Sequence, residues 1–312
     1  MSGRARIAAL ITLLLAGGAL VAALALRRVG TPLESSLVPA LELLGNPVKS
    51  LDRFVGRVVP VDELDERDLG RALRKRYDAQ ERADDPDSAY LNHLIAHVST
   101  RVRKPFDYHV YVLDFPAPNA MALPGGGILV TSELLATLQS ESELMAVLAH
   151  ELGHIELSHC FDAVKFELLA RKIGSAPLGQ IADFAVRILV AHSFSKAEEA
   201  EADEYAYALL LHSHYEPRGA GRAFASLLAW ETRRGAGRRL SHADPFRDYF
   251  RSHPPLELRR DEFLARAGAW WRGHQEERRY VGEANLGQRR SFFSGFQASS
   301  EWTEGRRPAG PR

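Results

Sequence analysis

Residues 148–160 read LAHELGHIELSHC and bring His150, His154 and His159 into one short stretch, with Glu151 beside the first. Upstream, Ser140-Glu141-Ser142-Glu143 has the pattern of a capping box, which predicts a helix from about residue 141. Leu144, Val147, Leu148, Leu152 and Ile155 then recur at helical spacing and supply a buried stripe. At about 100° per residue, His150 and His154 fall roughly 40° apart on one flank of that stripe, one turn from each other. Two imidazoles so placed can bind one ion. Glu151 lies about 100° round from His150 and about 60° from His154, in reach of a metal-bound water without being a natural third ligand. In this HExxH arrangement a zinc ion with an open position lowers the pKa of its water towards about 7 and polarises a carbonyl, while the glutamate takes the proton.

A third ligand has to come from elsewhere. The longer pattern HExxHxxGxxH is broken, because Leu157 stands at the glycine position and Cys160 at the third histidine. Residues 193–210, SFSKAEEAEADEYAYALL, place Glu199 and Asp203 four apart and so on the same side of a helix. One carboxylate would ligate while the other orients a histidine from behind, and spacing does not say which. The alternative for EEAEADE is a solvated acidic face. His159, five residues past His154, points away from the metal on a continuing helix and reads as structural. Cys160, the single cysteine of the chain, reads as a small buried hydrophobe and leaves no partner for an intrachain disulfide. His93 and His97 share the i,i+4 spacing, but no acid follows and their helix is apolar, so they read as ordinary core or surface histidines.

Outward from this stretch, YHVYVLD at 108–114 alternates, and GGILVT at 126–131 follows a Pro-Gly-Gly turn, which predicts a small antiparallel sheet. Helical patterns follow near 132–139, 141–159, 161–172, 178–212, 217–233 and 255–273. The expected fold is mainly α with that small antiparallel sheet. Residues 29–68 read as a linker with short helices, 69–275 as the main domain, and 276–312 as a C-terminal tail that is partly disordered. Residues 7–26 are uncharged and flanked by Arg4, Arg6, Arg27 and Arg28, and ~20 such residues can span a bilayer. That run is longer than the ~7–15 residues of a signal-peptide core, so residues 1–28 read as an uncleaved membrane anchor in preference to a cleavable signal peptide. With 40 basic and 40 acidic side chains there is no overall field to draw nucleic acid, which is excluded as a partner.

HELGHIELSH, followed after a helical segment by EAEAD at 199–203, resembles the zinc metallopeptidase family, of gluzincin type, that contains the CAAX prenyl endopeptidase, HtpX, the mitochondrial OMA-type proteases and BepA. NAMALPGGGILVT at 119–131 is similar to that family's NAxALPGGxIxVT stretch, and SHPP at 252–255, with Arg259 six residues after His253, resembles its S/T-H-P-P segment and arginine. The resemblance implies a metallopeptidase domain of α+β type in which His150, His154 and Glu199 ligate one zinc ion and Glu151 is the general base and acid. It implies that Asp203 supports a ligand histidine, that His253 faces the metal across the cleft, and that Arg259 pairs with acidic groups. Asn119, Ala120, Met121 and Ala122 would belong to an open edge strand, 119–131, to which an extended peptide adds. The implied function is a zinc endopeptidase acting on unfolded or misassembled proteins at a membrane, on the periplasmic side of a bacterial inner membrane, in envelope quality control. A chaperone-like or assembly factor with a zinc site held latent by His253 is the alternative.

Overall fold

Apolar or packed side chains cover every side of the helix that carries HELGH, and a helix buried all round needs neighbours on all sides. The computed structural model describes residues 63–304 apart from 82–83, 100–101, 166–177, 192–193, 235–255 and 296. The apolar segment 7–26, the linker as far as residue 62, and His253 with its SHPP segment lie outside the described residues. Among the described residues no helix is long and apolar enough to cross a membrane.

In chain order the elements are α1 (Glu63–Asp78), α2 (Pro86–Val98), β1 (His109–Leu113), β2 (Ala120–Ala122), β3 (Gly127–Thr131), α3 (Ser132–Thr137), α4 (Glu141–Glu156) and α5 (Leu178–Ala191). They continue with α6 (Lys196–Leu211), α7 (Arg218–Arg234), α8 (Leu256–Gly273), β4 (Arg278–Tyr280), α9 (Glu283–Gln288) and β5 (Trp302–Glu304). Helix α4 is the centre: every residue from Glu141 to Ile155 is buried, and it packs against α6, α7, β2 and α9. Its start follows the expected cap, with the Ser140 hydroxyl accepting from the Glu143 amide at 3.3 Å. The Glu143 carboxylate reaches back one residue further than a capping box would, to the Gln139 amide at 3.0 Å.

The sheet differs from the antiparallel expectation. Its order is β1-β3-β2, with β1 parallel to β3 and β2 antiparallel to it. The Pro-Gly-Gly turn does make a hairpin, but the hairpin is β2–β3, and β1 crosses over to the far side of β3. Alternation reveals that a segment is a strand; it carries no information about which neighbour it meets or in which direction. Strand β3 is therefore central and fully buried, and only the short β2 forms the edge beside α4, so the open edge is narrower than the expected 119–131. At the turn, Gly125 and Gly126 have φ of +79° and +103°, and α1 lies directly over it: a Cβ on Gly70 would stand 2.6 Å from the Gly125 Cα. No side chain fits between them, so α1 seats the turn that leads out of the edge strand.

Two other boundaries move. Helix α1 begins at Glu63, inside the stretch read as linker, because Glu66 and Leu69 are buried in the domain. The long helix expected over 178–212 is two, α5 and α6, separated by a capping box in which the Ser195 hydroxyl takes the Glu198 amide and the Glu198 carboxylate takes the Ser195 amide. Ser195-Lys-Ala-Glu198 is itself the S-x-x-E signal for such a restart. The residues from 278 to 304, expected as the start of a tail, are built into the domain. Strands β4 and β5 pair, Tyr280 is fully buried, and the Gly282 and Val281 carbonyls accept the Glu141 and Ser142 amides at 3.0 Å each. Three-residue strands are too short to show a period, so the sequence pattern gives no sign of them.

Candidate metal centre

Helices α4 and α6 approach closely because residue 153, between the two histidines, is glycine. A Cβ there would meet the Ala202 Cα at 3.1 Å and its carbonyl oxygen at 3.2 Å. The close approach brings Glu199, in the first turn of α6, to the histidine pair on α4. His150 Nε2 and His154 Nε2 are 3.1 Å apart, and they lie 3.6 Å and 3.5 Å from the two oxygens of the Glu199 carboxylate. Among the described residues these three side chains, all buried, form the one group whose donor atoms converge as metal ligands do.

The donor set fits zinc in both type and spacing. Three donors about 2.0–2.2 Å from a tetrahedral zinc ion stand roughly 3.3–3.5 Å from one another. The two imidazole nitrogens are 3.1 Å apart and each lies 3.5–3.6 Å from one or the other oxygen of Glu199, near that value, and two imidazoles plus one carboxylate leave the fourth position open.

Each ligand is held from behind. His150 Nδ1 lies 3.0 Å from Asp203 Oδ1, an acceptor that would hold the proton on Nδ1 and leave the Nε2 lone pair for an ion. Arg259, buried on α8, donates from Nη1 to Glu199 Oε2 at 2.8 Å, from Nε to Asp203 Oδ2 at 2.8 Å and from Nη2 to Asp203 Oδ1 at 2.5 Å. Its guanidinium carbon lies 4.5 Å from the centre of the Phe224 ring. One cation thus spans the buried Glu199 carboxylate and the partly buried Asp203 carboxylate while its flat face packs on an aromatic ring, a geometry that lysine does not reproduce. The His154 ring stacks on Phe194 with centroids 3.9 Å apart, an aromatic wall that nothing in the sequence pattern announced.

Glu151, next to His150 on the helix, is fully buried and reaches the sheet. Its Oε2 accepts the Ala122 amide of β2 at 2.8 Å. Glu151 and the edge strand are therefore one hydrogen-bonded unit, a link that neither segment implies alone. Asn119 lies at the start of this strand; its carbonyl accepts the Thr131 amide and its own amide donates to the Thr131 hydroxyl. Cys160 is buried, with its sulfur 3.7 Å from the His154 carbonyl oxygen. The residues singled out in the sequence thus gather at one place: His150, His154, Glu199, Glu151, Asp203, Arg259 and Ala122. His253 lies outside the described residues.

The match to known proteins follows the same residues. Residues 87–267 match peptidase family M48. The chain belongs to that family. Among its M48 relatives are the mitochondrial metalloendopeptidase OMA1 of Arabidopsis thaliana, 27% identical over 176 residues that cover 55% of this chain and 34% of the relative. The metalloprotease LoiP of Escherichia coli is 31% identical over 139 residues, 41% of this chain and 54% of LoiP. The beta-barrel assembly-enhancing protease of Yersinia pestis is 30% identical over 146 residues, 41% of this chain and 29% of that protein. The alignments span between about a third and about half of these relatives' own lengths. Zinc is the metal of M48 metalloproteases, and the His150, His154 and Glu199 group could hold one such ion.

Proposed function

We propose that this protein is a zinc endopeptidase that cuts extended segments of unfolded or misassembled proteins at a membrane, in quality control of a bacterial cell envelope. The observation that carries the reading is the position of Glu151. It is buried beside two ligand histidines and tied by 2.8 Å to the backbone of the edge strand β2. A metal that only clamped helices together would gain nothing from that carboxylate.

Zinc, when bound, supplies a Lewis acid beside the scissile carbonyl and makes the attacking water more acidic. Glu151 takes the proton from that water and returns it to the leaving amine, so no net proton is lost in the cycle. The Ala122 amide holds one carboxylate oxygen of Glu151 and so fixes the base in rotation. Pleat alternation turns the backbone groups of Ala120 to the same side as those of Ala122, away from β3, so an extended peptide can add there as a further strand. Met121 pairs inward with Leu129. Main-chain pairing of this kind tolerates many sequences but requires an unfolded or looped segment. The resemblance assigns His253 to the side of the cleft facing the metal, where it stabilises the oxyanion. The names of the relatives, from a mitochondrial metalloendopeptidase to a beta-barrel assembly-enhancing protease, support protein substrates. The apolar segment 7–26 supports attachment to a membrane.

The test is cleavage of an unfolded protein by the full chain, with zinc content measured in parallel, for wild type and Glu151→Gln. Stoichiometric zinc in both, with cleavage in wild type alone, is expected. Zinc in both with equal, negligible cleavage would overturn the protease reading.

A further inference from the structure

Helix α4 ends at Glu156, yet His159 returns to the metal site. Continuation of the helix would carry residue 159 about 140° round from His154. Instead Ser158 adopts φ +65°, a left-handed conformation that a non-glycine residue takes only when its surroundings impose it. Lys104 imposes it here: its ammonium donates to the Ile155 carbonyl and to the Ser158 hydroxyl at 2.7 Å each, and to the buried Glu66 carboxylate at 2.8 Å. The Glu156 carboxylate, on the last helical residue, binds the amides of Arg103 and Lys104 and so ties the same loop to the helix end. The turn folds His159 back beneath His154, with their Nδ1 atoms 3.1 Å apart. The other nitrogen of His159, Nε2, lies 3.1 Å from Glu201 Oε2 on α6.

We infer that His159, oriented by Glu201, is the positioning residue that fixes the tautomer and ring angle of the zinc ligand His154. This rests on the metallopeptidase reading above. To bind an ion through Nε2, His154 must carry its proton on Nδ1, and in a buried site that N–H needs an acceptor. His159 Nδ1 is an acceptor only if the His159 proton sits on Nε2, and the Glu201 carboxylate favours that by accepting the Nε2 proton. The chain His154–His159–Glu201 therefore has one self-consistent arrangement of protons. It does for His154 what Asp203 does directly for His150. Helix α6 thus serves the centre with three alternate residues: Glu199 to the ion, Glu201 behind one histidine, Asp203 behind the other.

The experiment uses the full chain with its zinc, a chromogenic chelator to measure zinc affinity by competition, and cobalt substitution to report ligand geometry by its visible absorption. His159→Phe keeps a ring against Phe194 but has no acceptor; it is expected to bind zinc about 10–100-fold more weakly and to change the cobalt spectrum. His159→Gln, which restores an acceptor oxygen, should recover most of that loss. Glu201→Ala, at a side chain that is 64% exposed and so dispensable for folding, should weaken zinc binding several-fold. Wild-type zinc affinity and cobalt spectrum in folded His159→Phe would overturn the inference alone. If His159→Phe does not fold, unchanged affinity in Glu201→Ala overturns it. Failure of the wild-type chain to take up zinc at all would sink the metallopeptidase reading, and this inference with it.

Discussion

The two ends of α4 bury carboxylates in opposite ways. Near its C-terminal half, Glu199 and Asp203 of α6 face the histidine pair and are met by the guanidinium of Arg259. At its N-terminus, Glu141 is fully buried, and its hydrogen-bond partners are the Tyr90 hydroxyl at 2.8 Å, the Tyr215 hydroxyl at 2.7 Å and the Phe292 amide at 2.8 Å. All three donors are neutral. Burial therefore pushes the Glu141 carboxyl above its ordinary pKa, and these hydrogen bonds offset only part of the rise. The difference teaches what each end is for. The end with the histidine pair meets its carboxylates with a full positive charge. The N-terminal end uses a carboxyl to gather three chain segments, α2, the turn before α7 and the C-terminal stretch, around the helix start.

The most severe way to break the ligand end without disturbing the other is Glu151→Gln. Turnover of an unfolded protein should fall about 10²–10⁴-fold, the usual contribution of a positioned general base. Zinc content and thermal unfolding should remain those of the wild type, which metal analysis and calorimetry would check.

Arg259→Leu removes the cation shared by Glu199 and Asp203 and leaves the buried Glu199 and the partly buried Asp203 carboxylates without it. Loss of one partner of a buried pair costs about 3–5 kcal/mol, so denaturant unfolding of the metal-free variant should shift by that order. With zinc bound the deficit should shrink, since the ion itself neutralises Glu199. An equal loss with and without a chelator would mean that the arginine acts through packing on Phe224 instead.

Gly153→Val tests whether the close approach of α4 and α6 is what assembles the ligands. The added carbons meet Ala202 backbone at 3.1–3.2 Å, and overpacking of this kind costs about 1–3 kcal/mol. Zinc affinity should fall along with stability, because α6 must move and it carries Glu199. A destabilised protein with unchanged zinc affinity would show that the ligand geometry does not depend on this contact.

The smallest effect belongs to the other end. Because the folded-state pKa of Glu141 is raised, the folded chain holds more protons than the unfolded one between the ordinary carboxylate pKa and the raised value. The stability this group contributes is fully present below the ordinary value and is lost as pH rises through the raised one. Glu141→Gln is permanently neutral and keeps one acceptor oxygen for Tyr215 and the Phe292 amide, while its amide can donate to the Tyr90 hydroxyl, so its stability should fall less over that window. The change is about 1 kcal/mol, the size of one exchanged hydrogen bond, and is read from urea midpoints measured as a function of pH. Parallel pH profiles for the two proteins would show that Glu141 is ionised throughout.

Much of the ligand end is legible in the amino-acid sequence. His150, His154 and Glu151 are related by the pitch of one helix, and the Ser140 cap and the apolar stripe locate that helix. Glu199 and Asp203 stand out as a same-side pair for the same reason. The N-terminal end is hidden. Glu141 reads as an ordinary first-turn acid, and its partners lie 51, 74 and 151 residues away in sequence. The short strands β4 and β5 carry no period.

The sequence by itself determined what lies within one element: where α4 starts, which of its residues share a face, and that two imidazoles and a glutamate sit together on it. These follow from the fixed rise and rotation of a helix, which depend on nothing distant. Tertiary structure alone decided that β1 runs parallel to β3, that Glu151 is tied to the Ala122 amide, and that Arg259 spans Glu199 and Asp203. It also decided that a left-handed Ser158 returns His159 to the back of His154. Each of these is a contact that no regular local period encodes. What sets such contacts is how closely packed surfaces can approach, as at Gly153 against Ala202, and no local spacing records that distance.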